Sequence, residues 1–529
     1  MKIVQSFWSL PAQNNAKDAL NGRNCGGWPS ERLHAMSWAF SISKLKQFYP
    51  EVVLYTDKTG KEWLIDKLNL PYTNVHKELD CLNTYNPLLW ALPKIYTYAK
   101  QSEPFIHVDG DVYIWEKFSN KFENAELLVQ NLEENYAYYK KPLKQIAEHF
   151  TYLPNLLQEA LNAQSNQPLI SINAGVIGGH NNNFFEELKT FAFDFITKNA
   201  VVISRVDAGD LNIVFEQLCC YLWAKNKNIP ITTLLENVTV ESADLIRFNT
   251  TPLLNKFIHV IGFAKQNPIA CSQLERRLKY EFPEMYTHIN ALYPIEKITS
   301  IPLTVNKDYD IKEIFTNTNI ILDKLTIDYK NIEFESLCDL IEVEYNKHST
   351  ENHYKLLSDI YQIEKYKYLT HKTLYSSPET FTKNIEEKTE KILRKLYEDN
   401  IDAFLSTKFT LDKNICQIAY LSYQYPNPIT MEVIESIVTD KCTITESKNT
   451  QMVLIQSLGY NEKELYTKPL TSWNELLYYF DEEALTGNQL IDIIKKRNDF
   501  EYNGTQLKID VLNFLSSNCL YFSYLKIVK

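Results

Sequence analysis

Through roughly the first 290 residues, short apolar runs alternate with longer stretches of helical period. Residues 2–8 read as a first buried strand and Val52–Thr56 as a second, ending at Asp57. Between them a loop carries Gly22, Gly26 and Gly27. Leu33, Met36, Phe40, Ile42, Leu45 and Phe48 then keep a helical spacing, with Pro29 and Glu31 suited to the helix start and Pro50 to its stop. A short helix near 61–68, a third strand near Tyr72–Val75 and a helix from Pro87 to Lys100 lead into 105–115, which reads as one buried central strand. Residues 116–170 read as aromatic and largely helical, with Tyr136, Tyr138 and Tyr139 as acceptor-groove candidates or, more simply, packing residues. Ile172–His180 predicts a strand ending in a glycine turn, Phe184–Thr197 and Asp210–Ala224 two helices, and Phe257–Lys265 a last apolar strand. Strands alternating with helices in this way predict a mostly parallel α/β sheet, whose ligands bind beyond the carboxyl ends of the strands.

The pattern changes in the second half. Ten of the 13 glycines and seven of the eight tryptophans fall within residues 1–262, so tight turns and close ligand approach concentrate there. Only Gly459, Gly487, Gly504 and Trp473 lie beyond. A linker near Tyr293-Pro294 and Ile301-Pro302 divides an α/β domain, 1–295, from a mainly α-helical region, 296–529. Glu386–Tyr397 shows one apolar face and a Glu390–Arg394 pair at i, i+4. Residues 470–529, read as three helices and a strand over Cys519–Ile527, have the order of a small winged-helix-like module. His348, His353 and His371 lack metal-ligand spacing and read as solvated. This half is expected to bind the acceptor or to mediate assembly.

Composition narrows the class. A 45% hydrophobic and 13% aromatic content over 529 residues supports packed cores. A net charge of −11 argues against a general nucleic-acid binder. The nine cysteines, scattered and without zinc spacing, suit reduced thiols in a cytoplasmic protein. The start, broken by Gln5 and Ser6, lacks a cleavage pattern, and no run spans a bilayer. Peripheral membrane contact stays open.

The candidate chemistry begins at Asp109-Gly110-Asp111. In an extended segment residues i and i+2 share a side, so both carboxylates point into one cavity at the strand's carboxyl end, with Gly110 turning the chain and leaving room for a ligand. Paired acidic groups repel unless a cation lies between them, and hard oxygen ligands suit Mg²⁺ or Mn²⁺. A lone D-x-D is also a common turn of solvated aspartates. No G-x-G-x-x-G turn or P-loop lysine appears, which removes dinucleotide and ATPase readings.

Four pieces in order, Asp109-Gly-Asp111, Asn173-Ala-Gly175-Val, Glu216-Gln217 and His259-Val-Ile-Gly262-Phe-Ala-Lys265, resemble the GT-A nucleotide-sugar glycosyltransferases. The likeness is to family 8, the glycogenin and lipopolysaccharide galactosyltransferase type, and covers about residues 1–290. The chain is also similar to little-characterised bacterial GT-A-like domains. The resemblance implies a Rossmann-like GT-A domain and a metal site, Mn²⁺ or Mg²⁺, held by Asp109, Asp111 and His259. It implies donor binding by Asp109, Asn173, Gly175, Gly262 and Lys265, and a catalytic pair in Glu216 and Gln217. The reaction implied is transfer of a sugar, with retention, from a nucleoside-diphosphate sugar to a saccharide, lipid-linked glycan or peptide. Oxygen ligands with one imidazole favour Mn²⁺ over Ca²⁺.

Glu216 stands where the family has Asp, one methylene longer, which leaves its role open. A haloacid-dehalogenase-like reading of Asp109 as a nucleophile fails because Tyr113 stands where Thr or Val is expected. The other reading is a non-catalytic GT-A-like binding or scaffold protein.

Overall fold

Strands form where both faces of an apolar run are covered. A computed structural model describes residues 1–13, 25–134, 136–162, 169–236, 244–294, 315–376, 378–456, 468–470, 472–498, 500–504 and 506–528. Gly22, Ile301-Pro302 and Gly459 lie outside the described residues. The chain divides into two compact units, Met1–Ile295 and Glu296–Lys529.

The first unit contributes β1 (Lys2–Phe7), β2 (Val52–Thr56), β3 (Asn74–Lys77), β4 (Phe105–Val108), β5 (Val112–Ile114), β6 (Leu127–Glu134), β7 (Ile170–Gly179), β8 (Ile231–Thr233) and β9 (Phe257–His259). Seven of them make one sheet in the order β3-β2-β1-β4-β7-β6-β8. Four of its six ladders are parallel; β7 runs antiparallel to both β4 and β6. The fold is mixed α/β with a parallel-dominated sheet. Every residue of β2 and β4 is buried, as a strand covered on both faces requires. The helix Glu31–Phe48 starts where Ser30 Oγ accepts from Leu33 N at 3.3 Å, and it is buried from His34 to Leu45.

Several elements differ from the sequence pattern. The predicted strand 105–115 is two strands: β4 stays in the large sheet, while β5 leaves it to pair antiparallel with β9. The predicted strand 257–265 shortens to β9 followed by a 3₁₀ turn, Gly262–Gln266. Within 116–170, expected to be largely helical, β6 is a buried strand whose apolar run is interrupted by Gln130 and Asn131. The helix expected over 210–224 contains a wider, π-type turn, Ile213–Leu218, which carries Glu216 and Gln217.

The second unit is rich in helices, as expected, and also contains antiparallel sheet that the pattern missed. After β10 (Lys408–Leu411), β11 (Cys416–Gln424) and β12 (Thr445–Gln456) pair as a long antiparallel hairpin. Leu357, Ile360 and Ile363 of the helix Asn352–Ser376 share a core with Ala419, Leu421 and Val453 of the hairpin. Residues 470–529 do not close on themselves. Their strands β14 (Leu485–Thr486) and β15 (Leu525–Ile527) pair on either side of β10, after the short β13 (Lys468–Pro469). The expected strand over Cys519–Ile527 begins only at Leu525, because the preceding helix runs to Leu520. His348 is half-buried, and its Nδ1 lies 2.7 Å from Glu351 Oε1.

The hairpin register shifts between Leu421 and Tyr423, which frees two backbone N–H groups. Asp359, from the buried face of the helix, receives them: Ser422 N at 2.8 Å, Tyr423 N at 3.1 Å, and the Tyr425 hydroxyl at 2.9 Å. Burial pushes the Asp359 carboxyl up to about 6 from 3.8, against the pull of these donors. A carboxyl raised in the folded state stabilises below its unfolded value, and that contribution is lost as pH rises through the folded value. Unfolding free energy, followed by urea titration, is therefore expected to fall between about pH 4 and pH 6 by on the order of 3 kcal/mol from this group. Asp359→Asn should flatten that interval.

Candidate functional site

The site grows from the end of β4. Parallel pairing with β1 (Val4 opposite His107) and antiparallel pairing with β7 (Val108 opposite Val176) hold the strand on both edges. Asp109 N donates to Gly175 O at 2.9 Å, and Val112 N donates back to Asp109 O at 3.1 Å, closing a tight turn over 109–112. The two aspartates thus converge through a turn rather than by extended i, i+2 geometry. Gly110 is required there because Trp38 takes the space beside it: a Cβ would lie 2.6 Å from the Trp38 ring.

The turn sends the chain into β5, and β5 brings His259. Val112 pairs with His259, and Val260 N donates to Asp111 O at 3.1 Å. Among the described residues, Asp109, Asp111 and His259 each offer a ligand atom, all within 4.8 Å of one another. That is the span of a single shell of ligands at about 2.0–2.4 Å from a cation.

Hydrogen bonding fixes which imidazole nitrogen faces the acids. Gln130 Nε2 donates to Asn131 Oδ1 at 3.1 Å, so its Oε1, 2.7 Å from His259 Nδ1, accepts. In the neutral ring Nδ1 then carries the hydrogen and Nε2 the lone pair. Nε2 lies 3.4 Å from Asp111 Oδ1, a buried oxygen that receives no hydrogen bond. With the ring neutral, these are two electron-rich atoms facing each other, a place for a cation. The donor set, carboxylate oxygens and one neutral imidazole, suits Mn²⁺ or Mg²⁺. Gly175 is part of this fit, since a Cβ there would come within 2.3 Å of His259 Cε1 and 2.5 Å of Gln130 Oε1.

Each aspartate also has its own lysine. Lys265 Nζ lies 2.7 Å from Asp111 Oδ2 and donates to Gly26 O at 2.8 Å. Lys94 Nζ lies 3.1 Å from Asp109 Oδ2 and 3.0 Å from Glu216 Oε1. Burial alone would raise the Asp111 carboxyl, but the Lys265 ammonium leads the charges that outweigh it and hold the group well below its usual range. Burial raises Asp109 despite Lys94, with Asp111 adding to the rise. Lys94 stays charged: burial opposes this, and Asp109 and Glu216 together more than reverse it.

The remaining predicted residues divide. Gly262 sits at φ 46° with open space where a Cβ would be, on the turn between His259 and Lys265. Asn173 Oδ1 accepts from Gly175 N at 3.0 Å and its Nδ2 donates to Glu133 Oε1 at 2.8 Å, so it braces the strand under the triad. Glu216 is fully buried, receives the Tyr98 hydroxyl at 3.0 Å and reaches Asp109 only through Lys94. Gln217 Oε1 accepts from the buried Tyr139 hydroxyl at 3.4 Å. Neither joins the metal set. Tyr138 is exposed, whereas Tyr139 is core.

Sequence reasoning missed Lys94 and Gln130. Both left a signal, a single charge inside the apolar run Leu88–Tyr98 and a polar pair inside Leu127–Leu132.

The sequence profile of a family of unknown function (DUF6734) matches residues 1–292, more than half of the chain, and the chain belongs to that family. No curated protein matches it. Among solved structures, the galactosyltransferase LgtC, in complex with donor and acceptor sugar analogues, aligns at 10% identity and a TM-score of 0.23, covering 41% of this chain and 70% of that one. Mouse xyloside xylosyltransferase 1, in its apo form, aligns at 11% identity and a TM-score of 0.25, covering 44% of this chain and 84% of that one.

The contact of His259 with Gln130 is testable by itself. Gln130→Leu leaves Nδ1–H without its acceptor and should weaken Mn²⁺ binding by about 10–100-fold in calorimetry. Gly175→Ala, which displaces the ring, should do the same; wild-type affinity in both variants would remove the triad from consideration.

Proposed function

We propose that this member of a family of unknown function is a metal-dependent glycosyltransferase of GT-A type that takes its sugar from a nucleoside-diphosphate donor. The observation that carries the reading is the convergence of Asp109, Asp111 and His259, with one bare carboxylate oxygen, at the carboxyl end of a buried β-strand. Mn²⁺ or Mg²⁺ held there would act as a Lewis acid on the diphosphate leaving group. Lys265 leaves Asp111 for a phosphate oxygen, adding a point charge. Gly262, at positive φ and with open space around it, lets the 262–266 turn come close to the phosphates.

Lys94 is placed on the Asp109 side of the same centre, and Glu216 serves by holding Lys94 rather than by touching sugar. Gln217, next along the turn, borders the sugar. Most of the acceleration then comes from placement and from charge developed against fixed groups, as an oxocarbenium-like transition state demands. Retention of configuration is proposed from the family 8 resemblance of the four motifs. The acceptor is a saccharide, a lipid-linked glycan or a peptide. No helix among the described residues is long and apolar enough to cross a membrane, and a cytoplasmic location is part of the proposal.

With Mn²⁺ and a panel of nucleotide sugars, the wild-type chain should bind at least one and release nucleoside diphosphate slowly. Asp111→Asn should lower that affinity at least tenfold by calorimetry, and chelation should do the same to the wild type. Unaltered affinity in Asp111→Asn would count against the reading. Binding without release would favour a GT-A-like scaffold, consistent with the close Lys265–Asp111 pair.

A further inference from the structure

The sequence neighbours of Trp90, Leu89 and Ala91, are fully buried, yet Trp90 itself is 41% exposed. The backbone that presents it is fastened on both sides by one buried amide. Asn212 Oδ1 accepts from Ala91 N at 2.9 Å, and Asn212 Nδ2 donates to Leu88 O at 2.8 Å. Asn86 closes the turn before it, taking Leu88 N on its side chain and Leu89 N on its carbonyl, each at 2.9 Å. A singly exposed aromatic on a loose loop needs no explanation, but a rigidly held one beside a polar centre is a built surface. The centre is close: Lys94 Nζ lies 5.7 Å from the ring centroid, and the same ammonium bridges Asp109 and Glu216. Trp90 therefore flanks the acidic pair on the Asp109 side, as Lys265 flanks it on the Asp111 side.

We infer that Trp90 is a stacking platform for a pyranose ring at the sugar end of the site. The inference rests on the proposed nucleotide-sugar chemistry: if the diphosphate lies towards Lys265, a sugar beyond it lies towards Lys94 and Trp90. A pyranose presents an apolar C–H face that packs on the electron-rich face of indole, while its hydroxyls turn to nearby polar groups. The donor hexose and an acceptor hexose offer this same face, and experiment distinguishes them.

The test uses the full-length chain with Mn²⁺ as wild type, Trp90→Ala and Trp90→Phe. In one arm, calorimetry compares UDP and GDP with UDP-glucose, UDP-galactose and GDP-mannose. In the other, maltose and lactose are titrated into the nucleotide-loaded protein. Trp90→Ala is expected to bind the bare nucleotides like wild type and to lose at least tenfold in one arm, with Trp90→Phe keeping most of the affinity. Loss in the first arm assigns the platform to the donor sugar, and loss in the second to the acceptor. Wild-type behaviour of Trp90→Ala in both arms overturns the inference, as does an equal loss for bare nucleotides, which marks a structural role. Failure of the wild type to bind any nucleotide overturns the glycosyltransferase reading itself, and the platform with it.

Discussion

Two carboxylates held side by side, one buried and one half-buried, repel, and the surroundings of Asp109 and Asp111 are organised to supply positive charge to both. Lys94 and Lys265 approach from opposite sides, one buried and shared with Glu216, the other tied to the loop carbonyl of Gly26. The two lysines are not equivalent. Lys94 is enclosed and its charge is demanded by two acids, so it is a fixed counter-ion. Lys265 shares its ammonium between Asp111 and a loop carbonyl, and it is held by one acid rather than two.

The site also depends on strand pairing that no local stretch encodes. Residue 259 reaches residue 111 because β5 leaves the main sheet and takes β9 as its partner, with Val112 opposite His259. Backbone hydrogen bonds fix that register, so the imidazole is positioned before any ligand arrives. In the sequence, the only trace of this was an apolar run carrying one histidine, with a glycine and a lysine at intervals of three. Those intervals marked the residues. The pairing that joined them was invisible, because two three-residue strands are too short for periodicity to register.

Elsewhere the pattern served well where burial followed chemistry and poorly where it did not. The runs at Lys2–Phe7, Val52–Thr56 and Ile170–Gly179 are apolar because both faces are covered, and they read directly as strands. Residues 127–134 read as part of a helical region because Gln130 and Asn131 break the run. Those amides are fully buried for a reason that lies outside the segment: one receives the imidazole hydrogen, the other holds the first in orientation. Glycine was legible as a marker of close approach, though not of what approaches. Side chains of this chain, Trp38 and His259, occupy the space beside Gly110 and Gly175.

Other buried carboxylates in the chain give the bare oxygen of Asp111 its meaning. Asp57 receives Ser9 N, the Ser9 hydroxyl and Gly60 N. Glu364 receives the backbone and side-chain donors of Asn317 and Thr318 on both oxygens, and Asp359 is similarly served by the hairpin bulge. This fold therefore satisfies buried acids with N–H and O–H donors where the role is structural. At Asp111 one oxygen has no such donor and faces Nε2 of His259 instead, an arrangement that an added cation makes favourable when the ring is neutral. Glu216 also keeps one oxygen bare, but among the described residues no third ligand group gathers there. The unmet demand for positive charge is thus concentrated at the Asp109–Asp111–His259 set, where a divalent cation would meet it.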